Sequence, residues 1–303
     1  MKFMSNFILK LLALCAMFID HIAEVLGWEG WGFFSFDTHF LRYIGRISYP
    51  IFAFCIITGW KHTSNKEKYF SRLALFAVIS QIPFTMALYV PNMTVNSSTS
   101  AFTFRIMPAF LLAALVAVVS YWYFALDKKI RGSLFVVAVS AILPAFLLKV
   151  NYMWVLTPDS LNVLYTLTIG LVLLFIIEKI ATKSLHIVEY LWLFILAGLL
   201  LLAYGTNADY GIGLMGVVLI VALYFAQKSK LLQSGVIAIW GVVYYGFVIG
   251  NRGNAVATLI PAVLILMYNQ KRGTNSVPAK WLFYVLYPLH LLLIGLINMF
   301  LKR

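Results

Sequence analysis

The sequence predicts an all-α fold: a polytopic helical membrane protein with about ten or eleven transmembrane helices in one bundle. Of its 303 residues, 63% are hydrophobic and only 11% are charged. Apolar runs of about 20 residues recur along the whole chain, and each is long enough to cross roughly 30 Å of hydrocarbon. The runs are continuous instead of alternating with polar residues, which favours helices over strands. A soluble domain of this length could not bury so large an apolar surface.

The candidate spans follow one another without a linker rich in proline, glycine or serine. Their approximate bounds are 7–26, 38–60, 70–90, 105–126, 132–150, 160–178, 186–205, 209–226, 231–249, 253–269 and 281–300. The opening part of the second, 38–46, is also compatible with a segment at the membrane surface, and the eighth span is short. No internal repeat of the kind found in many transporters is visible in the sequence. We therefore predict one domain over residues 1–303.

The lysines and arginines are concentrated in alternate loops. Sixteen of the 23 fall in the N-terminal segment and in five such loops, of which the stretch 61–72 is the most basic. The positive-inside rule assigns this side to the cytoplasm, and with it the N-terminus of a protein of the inner or plasma membrane. The net charge of +13 then reflects topology and contact with the lipid bilayer, so no nucleic-acid partner is expected.

The first span carries ionisable side chains of a kind that membrane helices rarely contain. Asp20, His21 and Glu24 lie within five residues in CAMFIDHIAEVLG, toward the predicted outer end. Inside a membrane such groups cost several kcal/mol unless they are paired or hydrated, so they are functional candidates. Helical spacing places Glu24 on the same face as His21, whereas Asp20 points about 100° away. We therefore expect Glu24, more than Asp20, to orient the His21 ring.

Two arginines form a cationic stripe on the second span. Arg42 and Arg46 are four residues apart in LRYIGRISYP. Neighbouring guanidinium groups need carboxylates or a phosphate ligand. The two arginines can act as a structural clamp that neutralises the carboxylates of the first span. They can also bind an anionic ligand, and the two roles are compatible. Gly45 and Pro50 in the same stretch predict close packing and a kink.

The last span contains His290 in FYVLYPLHLLL, with Tyr287 three residues before it on the same face. Pro288 removes one backbone hydrogen bond at this point. A lone intramembrane histidine is usually a packing residue, but the neighbouring tyrosine and the helix break favour a site.

Three further polar residues are candidates near the outer ends of spans: His39, Asn162 and Asp209. Asn162 and Asp209 are equally compatible with helix caps. His39 lacks the spacing of a metal-ligand set, and no metal is expected.

Taken together, these stretches resemble the TraX family of membrane acetyltransferases, which is named for a protein that N-acetylates conjugative pilin. The resembling motifs follow the family's order from one end of the chain to the other: IDHI, LRYIGRISYPIFAFCIITGW, SRLALFAVISQIPF, LNVLYTLTIGL, ADYGIGLMGVVL, YNQKRG and FYVLYPLHL. The family belongs to a wider group of transmembrane acyltransferases, which implies a single transmembrane acyltransferase-like domain. The region 91–160 matches weakly, and Glu24 stands where the family leads us to expect a small or apolar residue.

The resemblance implies acetyl-CoA as the donor, bound from the cytosol, and an acceptor reached from the other side. That acceptor is a pilin or other peptide N-terminus, or a surface glycan. With the geometry above, we assign catalytic roles to His21, Asp20, Glu24, His290 and Tyr287. Donor binding is assigned to Arg42, Arg46, Lys61, Arg72 and Gln81, and acceptor binding to Asn162, Asp209 and His39.

The predicted mechanism makes His21 the general base that takes a proton from the acceptor amine or hydroxyl. Asp20 or Glu24 would stabilise the imidazolium, and Tyr287 or His290 would donate to the thioester oxyanion. An acetyl-imidazole intermediate on His21 is the alternative route. The donor phosphates are expected near the basic loop of Lys61, Lys66, Lys68 and Arg72. A proton-coupled transporter or flippase that uses the same intramembrane cluster is the alternative function.

Overall fold

The structure is a computed structural model that describes residues 3–27, 38–88, 149–150, 153–154, 161–181, 213–274 and 276–301. These residues are overwhelmingly helical, and the predicted all-α membrane class is confirmed. In chain order the helices are α1 (Asn6–Gly27), α2 (Thr38–Gly45), α3 (Ser48–His62), α4 (Lys66–Leu88), α5 (Val163–Ala181), α6 (Gly213–Phe225), α7 (Lys230–Gly241), a π-helical segment (Val242–Val248), α8 (Arg252–Ala257), α9 (Leu259–Leu266) and α10 (Val277–Leu301). Two strands of two residues, β1 (Lys149–Val150) and β2 (Met153–Trp154), pair antiparallel.

Several described helices are long and apolar enough to cross a membrane. They are Phe40–His62, Lys68–Leu88, Lys230–Val248 and Trp281–Asn298. Shorter apolar helices cover Val163–Phe175, Gly213–Phe225 and Arg252–Leu266. The total of ten or eleven spans stays a prediction, because the predicted spans 105–126 and 186–205 and most of 132–150 lie outside the described residues.

The predicted second span is interrupted in the structure. Helix α2 ends at Gly45, and α3 begins at Ser48 after a turn in which Arg46 and Ile47 donate to carbonyls only three residues back. The break therefore comes before Pro50 and not at it. Pro50 lies in the first turn of α3, where a missing N–H costs nothing. Because of this turn, most of the 38–46 stretch forms a separate short helix, α2.

The predicted tenth span, 253–269, is also two helices. Helix α8 ends at Ala257 and α9 begins at Leu259, with Thr258 between them donating its hydroxyl to the Ala255 carbonyl at 2.7 Å. Pro261 lies in the first turn of α9 and has no N–H for the carbonyl of Ala257, which favours a new helix start here. The predicted fifth span, 132–150, is corrected at its end, because its last two residues form strand β1 and not helix.

The described helices belong to two compact units. The first comprises residues 1–62 and 219–303, and the second comprises residues 63–218. In the first unit α1 packs against α2, α3 and α10, and α7 packs against α9. The second unit is built on the packing of α4 against α5. The prediction of a single domain stays a prediction.

Helices α1 and α10 run parallel in the first unit. Near their beginnings the Phe7 and Phe283 rings meet edge to face, with centroids 5.7 Å apart. About four turns along α1, His21 meets His290 of α10. The parallel packing therefore brings the first and last sequence motifs together.

The beginning of α1 is held by the loop that follows α9. Met4 and Tyr268 form a single parallel β-bridge. The Asn6 and Phe7 amides donate to the carbonyls of Lys271 and Arg272. Amides at a helix start lack partners within the helix, so this 268–273 loop caps α1. Gly273 permits the contact, since its φ is +77° and a Cβ there would lie 2.7 Å from Ser5 Oγ.

Candidate functional site

The two carboxylates of α1 share one arginine of α2. A single Arg42 nitrogen lies 2.7 Å from an Asp20 oxygen and 2.9 Å from a Glu24 oxygen. The same nitrogen is 3.4 Å from the Asp20 carbonyl. Asp20 and Glu24 are one helical turn apart, so they present two oxygens to one guanidinium. The clamp predicted from the sequence is therefore present for Arg42.

Gly45 allows this clamp to form. A Cβ placed on Gly45 would collide with the Asp20 side chain, so α2 approaches α1 at a point where only hydrogen fits. The close packing predicted for Gly45 is confirmed, and its partner is the Asp20 carboxylate.

Arg46, four residues after Arg42, contacts an aromatic ring. Its guanidinium carbon is 5.9 Å from the centre of the Tyr245 ring, in the π-helical segment. Trp240, Tyr244 and Tyr245 form a continuous aromatic cluster there, with ring centroids 4.8–5.7 Å apart. Sequence reasoning missed this cluster, although WGVVYY is unusually aromatic for the middle of a span.

His21 and His290 form a buried pair between α1 and α10. Nδ1 of His21 is 2.7 Å from Nε2 of His290, and the residues are only 3% and 6% exposed. The ring planes are 7° apart and the centroids 5.0 Å apart. Stacked faces hold their atoms about 3.5 Å apart or more, so a 2.7 Å approach means that the rings lie edge to edge in nearly one plane. A nitrogen lone pair of one ring therefore faces an N–H of the other.

The second nitrogen of His290 sets the direction of this hydrogen bond. Nδ1 of His290 is 2.9 Å from the Leu286 carbonyl oxygen, one turn back on α10. A carbonyl can only accept, so Nδ1 of His290 carries a hydrogen. In the neutral pair Nε2 of His290 is then an acceptor, and Nδ1 of His21 donates to it. Nε2 of His21 keeps its lone pair.

Aromatic side chains fix the plane of His290. Phe18 of α1 stacks on the ring with centroids 4.3 Å apart and planes 21° apart. Tyr287 is buried and meets the ring at its edge, 5.6 Å between centroids. Phe18 is three residues before His21 and belongs to the same helical face. Sequence reasoning did not select it, because an apolar residue in a span carries no signal of its own.

The expectation that Glu24 orients His21 is wrong for this structure. Glu24 binds Arg42, and the Nδ1 of His21 binds His290. Helical spacing relates residues of α1 only to one another, and a guanidinium from α2 is a stronger partner for a carboxylate than an imidazole of the same helix. The hydrogen-bond partner of His21 Nδ1 is thus another histidine, 269 positions along the chain.

Asn162 and Gln81 form a separate buried network in the second unit. The Asn162 side-chain amide donates to the Ala77 carbonyl and to the Gln81 oxygen, both at 2.8 Å. The Asn162 side-chain oxygen accepts from the Leu164 amide at 3.1 Å, which caps α5. Asn162 is completely buried. These hydrogen bonds give the pair a structural role, joining α4 to α5.

The remaining predicted residues are spread over both units. Lys61 is exposed near the end of α3 in the first unit, and Arg72 lies on α4 in the second. His39 lies in α2, but its side chain is outside the described part of the chain, as is the whole of Asp209. Among the described residues, no three of His, Cys, Asp and Glu are grouped so as to hold a metal ion.

Comparison with known proteins gives the family. The model of the TraX protein family matches residues 5–157 and 132–298, which together are almost the whole chain. The chain belongs to the TraX family. The first matched range contains Asp20, His21 and Arg42, and the second contains His290. Both halves of the histidine pair therefore lie in family sequence.

A known relative is the probable fimbrial assembly protein FimC, serogroup H1, of Dichelobacter nodosus. It is 38% identical over 77 residues, which are 25% of this chain and 30% of that protein. No solved structure matches the chain.

Proposed function

We propose that this TraX-family membrane protein is an acetyltransferase that moves an acetyl group from acetyl-CoA to an amine or hydroxyl of an acceptor. The observation that carries the proposal is the directed histidine pair. A backbone carbonyl orients His290, His290 orients His21, and a proton acceptor is left at Nε2 of a buried imidazole. This is the arrangement by which one group holds a general base in its reactive tautomer. The family resemblance supplies acetyl transfer as the reaction class.

The proposed step is direct transfer. Nε2 of His21 takes the proton of the acceptor while the acceptor nitrogen or oxygen bonds to the thioester carbonyl carbon. The tetrahedral intermediate collapses, the carbon–sulfur bond breaks, and the leaving thiolate takes the proton back from His21. The free thiol of CoA and the acetylated acceptor are released. Trapping of an acetylated enzyme without acceptor would favour the route through acetyl-imidazole instead.

His290 and Tyr287 take different roles in this proposal. Both ring nitrogens of His290 are engaged, so His290 is a positioning residue and not the oxyanion donor. Its Nε2 accepts from the His21 N–H, and such a bond strengthens as His21 gains charge. Tyr287 lies beside the pair and stays the candidate donor to the developing oxyanion.

Arg42 and the two carboxylates form the rigid support of the site. With both carboxylates on one guanidinium, neither is assigned to stabilise a protonated His21. Their proposed role is to fix α2 against α1 one turn from the base. This replaces the prediction that Asp20 or Glu24 serves the imidazolium.

A pilus or fimbrial subunit is the acceptor that the comparisons favour. The family is named for a pilin acetylase, and the relative described above is named for fimbrial assembly. We place the transfer near the outer end of α1, on the membrane side opposite the basic loops. The N-terminal amine of the pilin is the first acceptor to test, with a surface glycan second.

The direct experiment uses purified wild-type protein in nanodiscs with acetyl-CoA and a peptide that carries a free N-terminus. We expect release of CoA in equal amount to acetylated peptide, detected by mass spectrometry. An N-terminally blocked peptide is the matched control and should give no product. Folded protein that neither binds acetyl-CoA nor releases CoA would overturn the proposal and favour the proton-coupled transporter.

A further inference from the structure

We propose that four basic residues at the beginning of α1 form a binding site for the phosphate groups of an organic ligand. They are Lys10, Lys230, Lys271 and Arg272, which we call the inner basic cluster. Where that ligand is the acetyl donor, the inference rests on the proposed function and adds the place where the donor nucleotide is held.

The cluster is assembled by contacts from three parts of the chain. The amides of Asn6 and Phe7 bind the carbonyls of Lys271 and Arg272 at 2.9 and 3.2 Å. Lys230, the first residue of α7, donates its ammonium to the Tyr268 carbonyl at 2.7 Å. Lys10 lies one turn into α1, with its nitrogen 5.6 Å from the Phe283 ring centre. The ends of α1, α7 and α9 thus bring their basic residues to one place.

The charge balance at this place is strongly one-sided. The sequence contains no Asp or Glu in residues 1–19 or 210–303, the segments that build the cluster. The ion pairs seen in the described parts of the chain lie elsewhere, joining Arg42 to Asp20 and Glu24, and Lys66 to Glu178. Like charges gathered in this way favour an anionic ligand.

The backbone of the 268–273 loop holds two members of the inner basic cluster, Lys271 and Arg272, in fixed positions. Gln270 has a φ of +63° and Gly273 a φ of +77°, and the Asn269 side chain accepts from the Lys271 amide at 2.8 Å. Lys271 and Arg272 are exposed. Because their carbonyls already cap α1, their side chains and not the helix amides are the groups available to phosphate. An arginine beside a lysine suits phosphate oxygens, since the guanidinium binds two of them together.

The position of the cluster fits a ligand with its phosphates at one end of a long arm. On α1, Lys10 is 11 residues from His21, and Asn6, which contacts Lys271, is 15 residues from it, so the cluster lies about 16–22 Å from the base along this helix. Acetyl-CoA has its phosphates and its thioester at opposite ends of an extended chain. The basic loop predicted from the sequence is a poorer candidate, since its Lys66 is already paired with Glu178.

The test measures CoA binding by wild-type protein and by the K271Q/R272Q double variant in phosphatidylcholine nanodiscs. We expect the dissociation constant to rise about tenfold or more in the double variant, since two charge-assisted contacts are lost. The R252Q variant is the matched control, because it removes an exposed arginine at the beginning of α8 and should bind as wild type. Acetyl-pantetheine, which lacks the nucleotide phosphates, should bind equally to all three proteins.

A second arm distinguishes donor phosphate from lipid phosphate. Thermal unfolding is measured with and without phosphatidylglycerol in the nanodisc. Loss of the lipid's stabilising effect in the double variant, with CoA binding unchanged, would assign the cluster to headgroups and overturn the donor version. If the double variant changes neither CoA binding nor the lipid effect, the proposal of a phosphate site at this cluster is wrong. Wild-type protein that binds no CoA but keeps the cluster-dependent lipid effect would defeat the proposed function alone.

Discussion

The hydrogen bond between His21 and His290 makes two buried side chains from opposite ends of the chain act as one group. Removing His290 leaves the His21 base in place but without its positioning partner. For H290L we expect a turnover number 10- to 100-fold lower, with the KM for acetyl-CoA nearly unchanged. H290Q should recover part of the rate, because its amide oxygen can accept from His21. Equal loss in both variants, or a raised KM alone, would contradict a positioning role.

The sharing of Arg42 by two carboxylates predicts non-additive effects on stability. D20N and E24Q singly should each cost about 1 kcal/mol or less of unfolding free energy, because Arg42 keeps one carboxylate. The double variant leaves the guanidinium inside the protein without its carboxylates and should cost about 3–5 kcal/mol. Denaturant unfolding of the four proteins in one detergent gives the coupling energy. If the double cost is the sum of the single costs, the shared clamp is wrong.

The residue types of the site could be predicted from the sequence, but not all of their pairings. Asp20, His21, Arg42 and His290 stand out because each is a polar group in an apolar run. Their partners depend on which helices are neighbours, and periodicity describes one helix at a time. The Leu286 carbonyl that directs His290 has no side-chain signal at all.

The close contact between α1 and α2 requires glycine at position 45, because there is no room for a Cβ atom there. G45A would place a Cβ on the Asp20 side chain, so we expect α2 to shift and the Arg42 clamp to weaken, at a cost of about 1–3 kcal/mol. G235A on α7 is the matched control. A Cβ there meets no atom within 4 Å, so it should be neutral or stabilise by about 0.5–1 kcal/mol. Similar unfolding curves for the two variants would exclude the proposed contact.

The link between α4 and α5 depends on Asn162. N162A removes the donor for two buried acceptors and the cap of α5, which we expect to cost about 1–3 kcal/mol. T168V on the same helix removes only a hydrogen bond to the Leu164 carbonyl one turn back and should cost less. A raised KM for the acceptor peptide in folded N162A would instead support the acceptor-binding role predicted from the sequence.

For the whole molecule, composition was enough to predict a helical membrane protein, because apolar length is a property of each segment alone. The interruptions at residues 46–47 and 258 were harder to place. Local turns and a proline produce them, inside runs whose average hydropathy stays high. The convergence of the ends of α1, α7 and α9 agrees with the same-side assignment of their basic residues. The 268–273 loop was visible as a family motif, yet its capping of α1 is a long-range contact that spacing cannot show.

The measurement that tests the central claim most directly is the turnover of acetyl-CoA and acceptor peptide by wild-type protein and H21Q, each verified as folded by thermal unfolding. If Nε2 of His21 is the general base, H21Q should lose about 10²- to 10⁴-fold in turnover number. CoA binding should be retained, because the inner basic cluster is about 16–22 Å away along α1. An H21Q protein that acetylates the peptide at the wild-type rate would contradict the account.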